Sequence, residues 1–318
     1  IMTGNTLGWV IVAFVLYLLM MIAIGAFYAK GNNNSEDYFL GGRKLNGFVA
    51  ALSAQASDMS GWLLMGLPGA IYLTGVGGDG WIAIGLFIGT TLNWLFIATK
   101  LRRYTIRANN SVTLPTYFEN RFHDEKKVLM TVSSITIVVF FLVYCASALS
   151  AGGQLFESVF GIDYHVALTI GALVVLVYTF LGGFTAVCVT DFIQGMLMLV
   201  GILAVPLFAY HFLTTGGTTL SVGLEASGAD SANFLNLMKN GDGSNNIISV
   251  ISGLGWGLGY FGMPHILVRF MAVRDEKEMT KSKATAISWV ALSLGFAVFI
   301  GILGRAYLPE LVNGNNDK

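Results

Sequence analysis

Charge is scarce in this chain: Asp, Glu, Lys and Arg make up 11% of 318 residues, and the 18 basic and 18 acidic side chains cancel. No basic run is long enough for a nucleic-acid footprint, which excludes DNA and RNA as partners. Cysteine is scarcer still. Cys145 and Cys188 are the only two, both in apolar surroundings, and they read as small buried residues rather than as a disulfide or metal site. Of the four histidines, His123 falls in a loop, while His165, His211 and His265 lie at or near the ends of apolar stretches. None has ligand spacing, so neither a zinc centre nor a catalytic constellation is assembled and an enzyme is not expected. What remains is apolar: 55% hydrophobic residues and a mean hydropathy of +0.69 lie outside the range of soluble domains. The composition is that of an integral membrane protein.

Crossing about 30 Å of hydrocarbon takes roughly 20 apolar residues. Stretches of that length run over 7–29, 48–74, 81–99, 128–156, 164–183, 187–213, 247–271 and 284–307, which predicts eight spans separated by polar or glycine-rich loops. Backbone in lipid must satisfy its own hydrogen bonds, and the alternation of a barrel strand is absent, so the spans are helices and the fold class is all-α, polytopic. The first stretch has no Lys or Arg before it and is too long for a signal-peptide core, which predicts a retained span. A chain opening at Ile1 is expected to be processed or partial. Lys30, Arg43, Lys44, Lys100, Arg102, Arg103, Arg107, Arg121, Lys126, Lys127, Arg269, Arg274, Lys277, Lys281 and Lys283 fall on one side of these spans, and Lys239, Arg305 and Lys318 on the other. The positive-inside bias makes the first side cytoplasmic and 214–246 an external loop.

Within 48–74 sits Asp58, a carboxylate that costs roughly 2.5–3.5 kcal/mol at helix-centre depth and therefore demands a partner, here expected to be a cation. The same segment carries Ser53, Ser57, Ser60, Gly61, Pro68 and Gly69; segment 247–271 carries Ser249, Ser252, Gly253, Gly255, Gly257, Gly259, Gly262 and Pro264. Paired interrupted helices at corresponding places in two inverted halves point to a transporter site. These two start five helices apart and run in opposite senses. Unwound carbonyls suit a cation and exposed amides suit an anion, a combination fitted to a zwitterion carried with a metal ion. Ser53, Ser57 and Ser60 or Gly61 share one helical face and offer hard oxygen ligands, although close helix packing would use the same small residues. Trp256, Tyr260 and Phe261 surround the second break; their faces suit an apolar ring or an ammonium group, yet aromatics are also ordinary at membrane interfaces. Gly257–Gly262 matches G-x-G-x-x-G, but no strand precedes it, so a nucleotide site is rejected.

Leu40-Gly-Gly-Arg43, the run Ala51–Gly69, Tyr144-Cys-Ala-Ser, Phe180-Leu-Gly-Gly-Phe with Thr190-Asp191, and Gly255–Ala272 closely resemble the sodium/solute symporter family, within it the sodium/proline symporters. The similarity covers essentially the whole chain. It implies a LeuT-like core of five plus five helices in inverted repeat: an extra helix over 1–30, the first repeat over 48–213, and the first two helices of the second over 247–307. It implies sodium held near the main-chain oxygens of Ala56 and Met59, with Asp58 needed for sodium-dependent binding. Ser60, Gly61, Trp62, Tyr144, Trp256, Tyr260 and Pro264 would form or neighbour the proline site. Asp191 resembles an acid on the sodium exit path, against the plainer reading of a helix-end acid wetted by the interface; Arg43 resembles a cytoplasmic gate residue, against that of an orientation charge. The implied partners are sodium, proline and membrane lipid, and the implied location is the bacterial inner membrane. Another small solute, such as pantothenate, a sugar or a carboxylate, and a transporter-like module of a membrane sensor are the alternatives. The family core needs three further helices, one of which completes the sodium cage, so this piece is expected to be partial and not to transport unaided.

Overall fold

The computed structural model describes residues 4–31 and 34–308; Lys318 and the start at Ile1 lie outside the described residues. Fourteen α-helices are assigned among them. The first predicted span is α1 (Gly4–Ala29), and a short helix, α2 (Ser35–Leu40), precedes a 3₁₀ turn at Gly41–Arg43. The first interrupted segment is α3 (Gly47–Gly61), a π turn at Trp62–Gly66, and α4 (Leu67–Thr74). Pro68 explains the π turn: it has no N–H to continue the ladder, and the Leu67 N–H reaches back to the Trp62 carbonyl instead. The third span comprises α5 (Val76–Leu92), a second π turn at Asn93–Ile97, and α6 (Ala98–Arg107), longer at both ends than the predicted 81–99. Then follow α7 (Leu114–Phe122), started by a Thr113–Thr116 capping box, and α8 (Val128–Phe160).

The predicted loop between 183 and 187 is replaced by a kink. A single helical run, α9 (Tyr164–Thr215), covers 52 residues, with Gly183 at φ 62° and ψ −159° inside it. Straight, it would measure about 78 Å, far beyond one bilayer crossing, so it corresponds to the two predicted spans joined at the kink. Glycine turns the chain there without a loop because it lacks the Cβ that forbids this conformation. The predicted external loop contains α10 (Leu220–Ala226) and α11 (Ser231–Phe234). The second interrupted segment is α12 (Ile247–Trp256), a 3₁₀ stretch at Gly257–Phe261, and α13 (Pro264–Ala272); α14 (Glu276–Tyr307) follows.

The chain divides into two compact units, and the division runs through both interrupted segments. The first unit comprises Ile1–Ala54, Ala98–Ile193 and Pro264–Ser282. Its approaches to the two breaks are tied by backbone: the Leu45 N–H donates to the Ala272 carbonyl at 3.1 Å and the Arg274 N–H to the Leu45 carbonyl at 3.0 Å. Glu278 Oε2 accepts from the Gly47 N–H at 2.7 Å, and the Ser282 hydroxyl donates to the Gly47 carbonyl, which fixes where α3 begins.

The second unit comprises Gln55–Ile97, Gln194–Met263 and Lys283–Lys318. Its α5 and α12 meet backbone to backbone: a Cβ on Gly85 or Gly89 would strike the main chain of Gly253 or Gly257. Two small-xxx-small faces thus interlock. Part of the glycine content of 247–271 therefore serves packing, whereas Gly255 has open space beside it. On the same unit, Leu213, Leu224, Phe234, Leu303 and Ala306 form an apolar cluster. Arg305 beside it donates to the Ser227 hydroxyl and to the carbonyls of Ser227 and Tyr72. Cys188 is buried as predicted, but Cys145 is exposed on α8, whose surface is largely apolar and uncovered; both thiols are free.

Candidate functional site

In the second unit, Ser60 adopts φ 44° and ψ −152°, a region that only glycine occupies freely, and breaks α3 one residue after Met59. Holding a non-glycine residue there costs about 1–3 kcal/mol and persists only where the surroundings enforce it. Two residues before the break, the Asp58 carboxylate accepts a hydrogen bond from the Tyr260 hydroxyl at 2.5 Å. Tyr260 lies in the 3₁₀ stretch of the other interrupted segment and is 1% exposed, so its hydroxyl needs a buried acceptor. Asp58 supplies one. The same hydroxyl contacts Met59 Sδ at 4.0 Å, and Ala56 and Met59 are both buried. Around the break, Trp62 stacks on Trp256 with centroids 5.7 Å apart and an interplanar angle of 25°. The structure thus brings together five of the predicted positions, Asp58, Met59, Trp62, Trp256 and Tyr260, with Ala56, Ser60 and Gly61 on the adjoining turns of α3. The partner that sequence reasoning missed for Asp58 is the Tyr260 hydroxyl. Two polar groups on two interrupted apolar segments were the available signal.

The first unit holds the other predicted positions. Asp191 on α9 pairs with Arg269 on α13, Oδ2 to Nη2 at 2.8 Å, and Ser53 on α3 completes the cluster by donating to Asp191 at 2.7 Å and accepting from Arg269 Nε at 2.6 Å. Arg269 also donates to the His265 carbonyl. Asp191 is 8% exposed and Arg269 4%, so neither is wetted by an interface. Arg269, counted from sequence only as an orientation charge, neutralises a buried acid. Tyr144 on α8 stacks with His265 at 5.5 Å, and Phe141 meets the same imidazole edge-on. Pro264 opens α13 beside His265. Arg43, 8% exposed, donates to the Met271 carbonyl at 2.9 Å, the Ser111 carbonyl at 2.8 Å, Thr105 Oγ1 and Asn110 Oδ1, and ion-pairs with Glu36 at 3.4 Å. Burial lowers its pKa from the ordinary arginine value, and Glu36 pulls it back up. Arg43 therefore joins α6, the turn before α7, and the end of α13, well beyond what an orientation charge requires. Tyr144, Pro264, Asp191 and Arg43 belong to this unit, and the aromatic residues around Asp58 to the other.

The side chain and main chain around Asp58 offer oxygen, with no thiolate or imidazole among the predicted ligands, which is the donor set of a hard alkali cation and not of a transition metal. The break beside Met59 is where helical carbonyls can turn from their N–H partners. These residues fit a sodium ion.

Comparison with known proteins is consistent with that chemistry. The family model described as the sodium:solute symporter family matches residues 38–314. The chain belongs to the sodium:solute symporter family. It is 44% identical over 314 residues to the sodium/proline symporter of Salmonella typhimurium (strain LT2), covering 97% of this chain and 61% of that protein. It is 45% identical over 294 residues to the sodium/proline symporter of Staphylococcus aureus (strain JH9), covering 92% of this chain and 56% of that one. The chain thus spans a little over half the length of these curated relatives. A solved Na+-coupled sialic acid symporter, in a substrate-bound outward-open state, superposes with a TM-score of 0.77 at 21% identity, over 95% of this chain and 63% of that one. That likeness establishes the fold alone, which is all-helical and LeuT-like. With several helices long and apolar enough to cross a bilayer, the chain is a multi-pass membrane protein.

Proposed function

We propose that the protein of this chain takes up L-proline in symport with sodium, by alternating access, in a bacterial inner membrane. The observation that carries the reading is the Asp58–Tyr260 hydrogen bond, which links the two interrupted segments at the break. A cation held by Asp58 and the carbonyls near Ala56 and Met59 acts on the group that orients Tyr260, so sodium occupancy organises the aromatic surface where the pyrrolidine ring packs. Coupling of this kind is reciprocal: proline tightens sodium by the factor by which sodium tightens proline. Ser60 and Gly61, at the break, present the backbone and hydroxyl to the substrate, with Trp62 and Trp256 contributing apolar walls. Identity of 44–45% to sodium/proline symporters supports the cargo.

One sodium moving through 100 mV supplies about 2.3 kcal/mol, enough for roughly fiftyfold accumulation of a neutral solute. No bond in the cargo changes, so the chain works by binding and movement without catalysis. We assign Asp191 to the cytoplasmic exit of the ion; since Arg269 already pairs with it, a sodium passing there displaces the guanidinium. Arg43 holds the cytoplasmic side shut through the Met271 carbonyl. We assign the two interrupted segments as the equivalent first helices of inverted repeats over 48–213 and 247–307. The test is uptake of labelled proline by liposomes containing the full-length gene product. Uptake is expected to follow an inward sodium gradient and to resist competition by pantothenate, sugars and carboxylates. Uptake unchanged when potassium replaces sodium, or abolished by one of those competitors but not by unlabelled proline, contradicts the proposal.

A further inference from the structure

Asn93 is 0% exposed and opens the π turn between α5 and α6; its Nδ2 donates to the Tyr260 backbone carbonyl at 2.8 Å. In an unbroken helix that carbonyl would receive the N–H of residue 264, four positions on. Residue 264 is proline, which has none. A buried carbonyl stripped of its donor must find another, and the carboxamide supplies it. The amide orientation is fixed by the same need, because only the NH2 end can satisfy a carbonyl. The geometry that delivers Asn93 is written along α5. Gly85, Gly89 and Asn93 repeat every four residues on one face, and the first two lie against the Gly253 and Gly257 backbone, so the next turn comes to Tyr260.

From this juxtaposition we infer that Asn93 is a positioning residue for the sodium site: its carboxamide replaces the helical N–H that Pro264 lacks, holds the Tyr260 backbone in the 3₁₀ turn, and so aims the Tyr260 hydroxyl at Asp58. The inference deepens the sodium-coupled reading above and rests on it only for the identity of the ion. Asn93 touches neither ion nor cargo in this role. Its Oδ1 has no hydrogen-bond partner among the described residues, so the contact with Tyr260 is the anchor that the chain itself provides for this side chain.

The test is a double-mutant cycle read by sodium-dependent thermal stabilisation of the purified full-length gene product, with potassium as the control. The variants are Asn93→Ala, Tyr260→Phe and the pair; Asn93→Gln, which keeps a donor, is the rescue. Each single change is expected to raise the sodium concentration for half-maximal stabilisation roughly five- to tenfold, the worth of one hydrogen bond to a buried group. The double variant is expected to match the worse single, since both break one chain of contacts, and Asn93→Gln to recover part of the loss. Stabilisation in Asn93→Ala at the wild-type sodium concentration, or losses that multiply in the double variant, overturns the inference. If Asn93→Ala does not fold, the comparison of Asn93→Gln with wild type decides: unchanged sodium dependence supports the donor role, and a tenfold loss with intact folding opposes it. The melt reads sodium alone. A wild type stabilised by sodium that takes up no proline in a parallel assay counts against the transport reading and leaves the result for Asn93 standing.

Discussion

Removing one partner of the Asp191–Arg269 pair offers the sharpest stability test of the first unit. The guanidinium and carboxylate lie 2.8 Å apart, and Ser53 bonds to both, so neutralising one member leaves the other's charge buried without its counter-charge. With Asp191 8% and Arg269 4% exposed, water cannot repair the deficit. Breaking a buried pair from one side costs about 3–5 kcal/mol, whereas replacing both members by neutral groups of similar shape often costs far less. Asp191→Asn and Arg269→Gln are therefore each expected to lose about 3 kcal/mol or more, and the double variant to lose less than either. A coupling of about 2 kcal/mol or larger should emerge. The assay is unfolding of purified protein by SDS titration, with membrane abundance of each variant as a check on folding in the cell. Single variants within about 0.5 kcal/mol of wild type, or a double variant that loses the sum, would show that the pair is a surface-like contact and refute the argument.

Other outcomes follow from the breaks and their flanks. Ser60→Gly relieves the left-handed strain and should raise stability by about 1 kcal/mol while weakening proline binding, because the hydroxyl is lost with the strain; unchanged proline affinity would remove Ser60 from the substrate site. Asp58→Cys should weaken apparent sodium affinity far more than membrane abundance, read as the sodium dependence of uptake against immunoblot signal. Asp275 caps α14 by accepting from the Glu278 N–H, and that bond, with Arg274 beside it, holds its pKa below the ordinary 3.8. A carboxyl whose folded pKa is depressed contributes stability above its unfolded value and loses it as pH falls through the folded one. Wild type should therefore melt higher than Asp275→Ala at pH 5 and above, with the gap closing below about pH 3.8; a gap that widens in acid would contradict this.

Much of the fold was legible because lipid simplifies the code. Apolar runs near twenty residues marked the spans, and glycine, serine and proline marked both interrupted segments where the helices do break. Gly183 was not legible as a kink: a glycine between two apolar runs looks the same whether the chain loops out or turns within a helix. Cys145 was misjudged as buried because apolar neighbours on a membrane helix do not imply cover, since lipid tolerates what water would not. At the site, residue type pointed to Asp58, Tyr260 and Trp256, and the family resemblance to Trp62, but neither pointed to the hydrogen bond between Asp58 and Tyr260, which depends on a contact across 202 residues of sequence. Arg269 was hidden among the basic residues that set orientation. Asn93 gave no signal at all, because its role follows from the missing N–H of a proline far along the chain.

Equilibrium binding of labelled proline to the purified full-length gene product, in sodium and then in potassium or choline at equal ionic strength, tests the central claim most directly. Proline should be retained in sodium and lost in the other two, and Asp58→Cys should need more sodium for the same retention. Proline held equally well in all three salts would contradict the account.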